Sequence, residues 1–165
     1  YLKEEGIKIF GFIPRESSLM SVSVGELAKA LNGNILCGEE QLGEMVESFM
    51  VGAMGQEQAL RFFQQQSKKA VITGGDRADV QLAALETPTK ALILTGNYTP
   101  SVTVLGVAES KKVPLILVDM DTMAAVDKTE AIIGKVRVHE DKKLELMQSL
   151  VEEYVDIDSI FRELV

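Results

Sequence analysis

Two four-residue runs, Ala91-Leu92-Ile93-Leu94 and Leu115-Ile116-Leu117-Val118, contain no polar side chain. The first is closed by Thr95-Gly96-Asn97-Tyr98-Thr99-Pro100, and Pro114 leads into the second. A strand with one wet face alternates polar and apolar residues, so continuous apolar runs mean strands covered on both faces. Such strands need helices above and below them, and the sequence supplies the helices. A helix is expected over about Ser101 to Ser110 through Val104, Leu105, Val107 and Ala108, and another from Thr122 to Ile133. Upstream, Val46 to Val51 reads as a strand and Gln56 to Gln66 as a helix burying Ala59, Leu60, Phe62 and Phe63. Ala70-Val71-Ile72 is a further strand, with a helix over about Arg77 to Glu86 that carries Val80, Leu82, Ala83 and Leu85. Strands alternating with helices through short connections imply an α/β fold, mainly a parallel sheet with helices on both faces.

The flanks are less regular. Ile7 to Ile13 is a strand candidate stopped by Pro14. Ser23-Val24-Gly25-Glu26 has capping-box spacing and opens a short helix with Leu27, Ala28, Ala30 and Leu31 on its apolar side. Asn32-Gly33-Asn34 ends that helix, and Ile35 to Gly38 reads as a short strand near a sheet edge. At the other end, Leu144, Met147, Leu150, Val151 and Tyr154 follow helical spacing. Residues 139–165 hold eight acidic and three basic side chains, a net of −5 out of −8 for the chain. That helix is either a solvated outer face or one offered to a neighbouring subunit or domain.

A chain of 165 residues fits one domain and can bury about 70% of its unfolded surface, so it needs no cross-links. With Cys37 alone there is no internal disulfide, which fits a reducing cytosol, and Cys37 is expected to pack as a small apolar residue. The net charge of −8 argues against nucleic acid as a main partner. No apolar run reaches the length of a membrane span and no signal peptide is visible. The chain begins at Tyr1 rather than Met and is read as a piece of a longer protein.

In an open parallel sheet, ligands bind beyond the C-terminal ends of the strands. Four polar segments should meet there: Gly52 to Gly55, Thr73 to Arg77, Thr95 to Asn97, and Asp119 to Thr122. Gly74-Gly75 permits close approach to the backbone, Asp76 can cap the following helix, and Asp79 sits in its first turn. A strand that ends in glycines and opens a helix leaves N–H groups suited to an anion, although the same residues also make a tight turn and nothing more. Candidate ligand-binding residues are Thr73, Gly74, Gly75, Asp76, Arg77, Thr95, Gly96, Asn97, Asp121 and Thr122. Arg77 can hold a phosphate or carboxylate, or pair with Asp119 or Asp121 and lock the loops. Asp119 and Asp121 could hold magnesium beside a phosphate, or cap helices. Neither a Gly-x-x-x-x-Gly-Lys-Ser/Thr loop nor a Gly-x-Gly-x-x-Gly fingerprint is present. The only histidine, His139, reads as a surface residue beside Glu140 and Asp141 rather than a general base. No catalytic or metal-binding set is assigned, and no cofactor is identified.

Val71-Ile72-Thr73-Gly74-Gly75-Asp76-Arg77-Ala78-Asp79, followed by Ala91-Leu92-Ile93-Leu94-Thr95-Gly96, resembles the DRTGG domain family. Val113-Pro114 and Asp121-Thr122 are similar to the family as well, although the five-letter string itself is replaced by Thr-Gly-Gly-Asp-Arg. The resemblance covers about Val24 to Val136. It implies a domain over residues 24–136, preceded by a strand and connection over 1–23 and followed by an acidic helical extension over 137–165. It also implies a fold like the N-terminal domain of HPr kinase/phosphorylase. Domains of this family occur in the middle of long phosphate acetyltransferases, after a P-loop domain similar to dethiobiotin synthetase, and between CBS domains in regulated pyrophosphatases. The family carries no agreed catalytic residues, so only Gly74, Gly75, Asp76 and Arg77 transfer, as signature positions.

Three functions are open at this point. The first is a non-catalytic regulatory and dimerisation module, forming a homodimer that transmits the state of a P-loop domain in a longer cytoplasmic chain. The second is a sensor that binds an anionic metabolite or nucleotide at the strand ends. The third is a metal-dependent enzyme using Asp76, Asp119 and Asp121, against which the −8 charge weighs unless a metal offsets it.

Overall fold

The computed structural model describes residues 8–133 and 141–164. His139 lies outside them. The chain forms two compact units, Ser21–Lys135 and one built from the two ends of the chain.

The Ser21–Lys135 unit runs β1 (Val22–Ser23), α1 (Val24–Ala30), β2 (Asn34–Cys37), β3 (Met45–Val46), β4 (Ser48–Val51), α2 (Gln56–Phe63), β5 (Lys69–Gly74), α3 (Ala78–Leu85), β6 (Thr89–Thr95), α4 (Val102–Lys111), β7 (Leu115–Leu117) and α5 (Thr122–Ile132). Five strands form one sheet in the order β2-β7-β6-β5-β4. The four from β4 to β7 are parallel, and β2 closes one edge antiparallel to β7. This is the mixed α/β architecture, mostly parallel and flanked by helices, that the apolar runs require.

Alternate residues of each central strand serve opposite cores. Ala70 and Ile72, Ala91 and Ile93, and Ile116 and Val118 face α1 and α5, meeting Leu27, Ala28, Ala125 and Ile132. Val71, Leu92, Leu94 and Leu115 face α2, α3 and α4, meeting Phe63, Val80, Leu85 and Val104. A fully buried aliphatic side chain of this kind contributes about 1.5–3 kcal/mol, so Ala91 to Leu94 form the centre of both cores.

The helix ends follow their local chemistry. The Ser23 hydroxyl accepts the Glu26 N–H at 3.2 Å and the Glu26 carboxylate accepts the Ser23 N–H, which completes the capping box. Ser101 caps α4 through the Val104 N–H, and Asp121 caps α5 through the Ala124 N–H at 2.8 Å. Helix α4 ends with Lys112 in the left-handed region (φ 55°), and the Val113 N–H returns to Ala108 O at 2.9 Å. A lysine there bears strain that glycine escapes, less glycine's extra entropy in the unfolded chain. Lys112→Gly is therefore expected to raise stability by about 0.5–1 kcal/mol in urea unfolding.

Several sequence expectations are corrected. Val46 to Val51 is not one strand: it breaks at Glu47, Val46 pairing with Val22 and Ser48 with Lys69 of the larger sheet. The break follows from the Glu47 N–H, which donates to Lys68 O and turns the chain from one sheet to the other. Ala30 is exposed, because α1 closes on its core with Val24, Leu27, Ala28 and the following Leu31.

In the unit formed by the chain ends, α6 (Asp141–Tyr154) and α7 (Ile157–Leu164) replace the single helix expected. The break has a readable cause. The Asp156 carboxylate accepts the Ser159 N–H at 3.0 Å and its hydroxyl at 2.6 Å, so Asp156 starts a new helix. That cap holds the Asp156 carboxyl below its usual range. The strand expected at Ile7 to Ile13 is, among the described residues, a single antiparallel bridge between Gly11 and Val155. The Phe12 N–H donates to Tyr154 O and the Asp156 N–H to Phe10 O, but no further partner edge extends the pairing. Phe12 is 83% exposed. No helix among the described residues is long and apolar enough to cross a membrane.

Candidate functional site

Strands β6 and β7 lead to helices on opposite faces, α4 on one and α5 on the other. Their outgoing chains therefore diverge at the C-terminal edge of the sheet, which is where an open α/β sheet forms its crevice. Here the crevice is laced shut. The Gly96 N–H donates to Met120 O at 2.9 Å and the Asn97 N–H to Val118 O at 3.0 Å. Gly96 (φ 79°) and Asn97 (φ 56°) take the left-handed conformation that aims these donors across the gap.

A line of threonine hydroxyls extends the lacing over the remaining strand ends. Thr73 Oγ1 donates to Gly52 O at 3.1 Å, Thr95 Oγ1 lies 3.4 Å from Thr73 O, and the Thr95 and Thr122 hydroxyls meet at 2.7 Å. Thr73 and Thr95 are buried, so the bonds are made where water does not compete. The Gly75 N–H donates to Thr95 O and the Arg77 N–H to Gly74 O. The donors expected to stand free for an anion at Gly75, Arg77, Gly96 and Asn97 are thus spent within the fold.

The two signature glycines have different jobs. A Cβ on Gly75 would lie 2.2 Å from Tyr98 O, so glycine there lets the turn after β5 press against the loop after β6. A Cβ on Gly74 would meet only the Asp76 carboxylate oxygen at close range, because Asp76 folds back over the turn. Asp76 is therefore not the cap of α3. The cap position is Arg77, whose side chain makes no capping bond.

Arg77 pairs with neither Asp119 nor Asp121. Its Nε and a terminal nitrogen each lie 3.2 Å from a carboxylate oxygen of Asp79, and the terminal nitrogen also donates to Met54 O at 2.9 Å. Asp79 wins because it sits two residues on, in the first turn of α3, while Asp121 is committed to the α5 cap. The guanidinium, aided by the Val80 N–H, holds the Asp79 carboxyl below its usual range. The bond to Met54 O ties the loop after β4 to the turn after β5.

Sequence reasoning missed Gln81. It is fully buried, its amide nitrogen donates to Gly74 O at 2.8 Å, and its Oε1 has no hydrogen-bond partner among the described residues. A glutamine set within the apolar run Val80, Leu82, Ala83, Ala84 and Leu85 is the signal. Of the candidate residues, the structure brings Thr73, Gly74, Gly75, Thr95, Gly96, Asn97 and Thr122 into one laced edge. Arg77 and Asp76 lie beside it and Asp121 at the start of α5. Among the described residues no group of three or more His, Cys, Asp or Glu side chains is placed to hold a metal ion, so Asp76, Asp119 and Asp121 do not form one. Cys37 is half-buried at the edge strand, its thiol pushed up by burial, in keeping with a packing role.

The chain is similar to known proteins over most of its length. Over 163 residues the chain is 25% identical to a phosphate acetyltransferase of Nitratidesulfovibrio vulgaris, covering 93% of this chain and 23% of that one. A phosphate acetyltransferase of Synechocystis sp. is 24% identical over 165 residues, covering 94% and 24%. The chain thus spans about a quarter of the length of these relatives. Among solved structures, the CBS and DRTGG domains of the regulatory region of Clostridium perfringens pyrophosphatase, complexed with the activator diadenosine tetraphosphate, superpose with a TM-score of 0.60. The identity is 18%, with 92% of this chain and 79% of that one covered, so the likeness is one of fold. The DRTGG domain model matches residues 26–132, from within α1 through the whole five-stranded sheet and the laced turns to the end of α5. By that match over most of its length, the chain belongs to the DRTGG domain family.

Proposed function

We propose that this chain is a non-catalytic regulatory module of a longer cytoplasmic protein, with residues 24–136 as its functional domain, and that it forms a homodimer conveying the state of a P-loop domain in the same protein. The observation that carries this reading is the lacing of the strand edge. The groups best placed for chemistry hold four loops to one another: Arg77 binds Asp79 and Met54 O, Asp121 caps α5, and the glycine N–H groups bond to neighbouring carbonyls. An edge built this way moves as one piece, as a transmitting element must. The length of the phosphate acetyltransferase relatives supports membership of a larger chain.

The test is light scattering of the purified chain over a concentration series, followed by activity of the full-length protein with and without residues 24–136. A dimer whose removal changes the partner domain's activity is expected. A chain that stays monomeric at high concentration, with unchanged activity on deletion, refutes the proposal.

A second reading, a sensor of a nucleotide or other anionic metabolite at Thr73 to Arg77, Thr95 to Asn97, Asp121 and Thr122, is favoured by one observation. Tyr98 is 61% exposed, with its ring beside Gly96, an aromatic surface on which a base can stack. The activator named for the pyrophosphatase regulatory region belongs to that chemical class. A ligand at a hundred times its Kd adds about 2.7 kcal/mol of stability, so a nucleotide panel read by thermal melting detects it. Arg77→Ala is expected to lower the melt of the free chain modestly, because its ion pair is solvent-exposed but its bond to Met54 O is lost, and to abolish the ligand-induced shift. A shift that survives Arg77→Ala removes Arg77 from the site.

A further inference from the structure

The opposite edge of the sheet, where β6 and β7 begin, carries a cavity of about 260 Å³. Gln41 and Glu44 form one wall, Lys90 at the start of β6 another, and Lys111 and Lys112 at the end of α4 the third. We propose that this cavity binds a small, multiply charged oxyanion of the phosphate class.

Charge is the first argument. Three ammonium groups and one carboxylate line the cavity on a chain whose net charge is −8. Glu44 is engaged in an ion pair with Lys90, which leaves the positive charge of Lys111 and Lys112 uncompensated by it. Lys111 gives one N–H to Leu85 O at 2.8 Å and keeps two donors, and the Lys112 side chain has no ion-pair partner among the described residues.

Chemistry and size narrow the ligand. Ammonium groups act as point charges on flexible stems and impose no planar fork, so they can meet a tetrahedral oxyanion from several sides. At a partly exposed site the gain grows with ligand charge, so an anion of charge two or more is favoured over a monovalent one. The volume of about 260 Å³ lies below the roughly 300–1,000 Å³ of sites for drug-sized ligands and is enough for an inorganic phosphate or pyrophosphate. The lysines also sit where cations complement the C-terminal ends of α3 and α4, a role that needs no ligand. The experiment must separate the two.

The probe is sodium pyrophosphate, titrated into the 165-residue chain at low ionic strength and followed by amide NMR and thermal melting, with sodium chloride at matched ionic strength as reference. Saturable shifts confined to Gln41, Glu44, Lys90 and residues 111–113, with a rise in Tm, are expected. Lys112→Gly, which relieves the left-handed strain and so keeps the fold, should raise the Kd at least fivefold. Lys29→Gln, on the exposed side of α1, should leave it unchanged. Titrating inorganic phosphate in parallel distinguishes a one-centre from a two-centre anion. The proposal is overturned if pyrophosphate acts no differently from chloride. It is equally overturned if Lys29→Gln weakens binding as much as Lys112→Gly, or if binding is untouched by Lys112→Gly, since the lysines then serve the helix ends alone.

Discussion

Alanine at position 75 is expected to destabilise the protein by about 3 kcal/mol or more, while alanine at position 74 costs under about 1 kcal/mol. The residues are adjacent and chemically identical, so the contrast rests wholly on surroundings. A Cβ on Gly75 meets Tyr98 O at 2.2 Å and Tyr98 Cβ at 2.8 Å. Tyr98 cannot retreat, because the residues before it are held by the bonds from Gly96 to Met120 and from Asn97 to Val118. Relief would therefore break the lacing of the strand edge as well as shift the turn. A Cβ on Gly74 meets Asp76 Oδ1 at 2.5 Å and nothing else closer than 3.6 Å, and an exposed carboxylate can rotate away. Urea unfolding of the two variants checks the contrast. Equal losses would show that the turn after β5 is malleable and that the close approach to Tyr98 does not require Gly75. The expected result makes the second glycine a packing device between two βα turns.

The parts of the fold that were legible in sequence are those set by burial on both sides. Ala91 to Leu94 has no polar position because neither face meets water, and no tertiary detail could alter that reading. The caps at Ser23 and Asp121 are equally local, each needing only a side-chain oxygen and an N–H three residues on. What failed depended on the identity of a distant partner. Val46 to Val51 has strand chemistry throughout, but which sheet each half joins is decided by Val22 and Lys69, far away in sequence. Ile7 to Ile13 has the composition of a strand, but among the described residues its pairing is the single bridge from Gly11 to Val155.

At the candidate site, too, the partners of the backbone donors were not legible in sequence. Its residues converge as the topology demands, yet whether an N–H is free depends on which carbonyl lies opposite, and Val118 and Met120 occupy those places. Arg77 pairs with Asp79 in its own turn rather than with the aspartates of other loops, a choice set by local distance. Gln81 and the break at Asp156 had local signals, a polar residue on an apolar helix and an Asp-x-x-Ser cap, and could have been read.

Between about pH 8 and 10.5, the wild-type chain is expected to gain stability relative to Lys69→Met, by at most about 3 kcal/mol. Lys69 opens β5 and is fully buried, although Lys68 before it is exposed. Its ammonium donates to Gln66 O at 2.9 Å and Pro88 O at 3.2 Å, and neither acceptor carries a negative charge. Burial without a carboxylate lowers the amine from its ordinary 10.5 to about 8. Below pH 8 both folded and unfolded chains hold the proton, so the fold bears the whole cost of the buried charge. As pH rises from 8 to 10.5 the folded chain sheds its proton while the unfolded chain keeps it, and the cost disappears. Methionine fills the same stem volume without a charge and has no such slope, so the difference between the two proteins isolates Lys69 from the lysines and tyrosines that titrate in both. Urea unfolding of each at half-unit pH steps gives the two curves. Parallel curves would mean that Lys69 keeps its proton in the fold at an ordinary pKa, and that the two carbonyls compensate its burial in full.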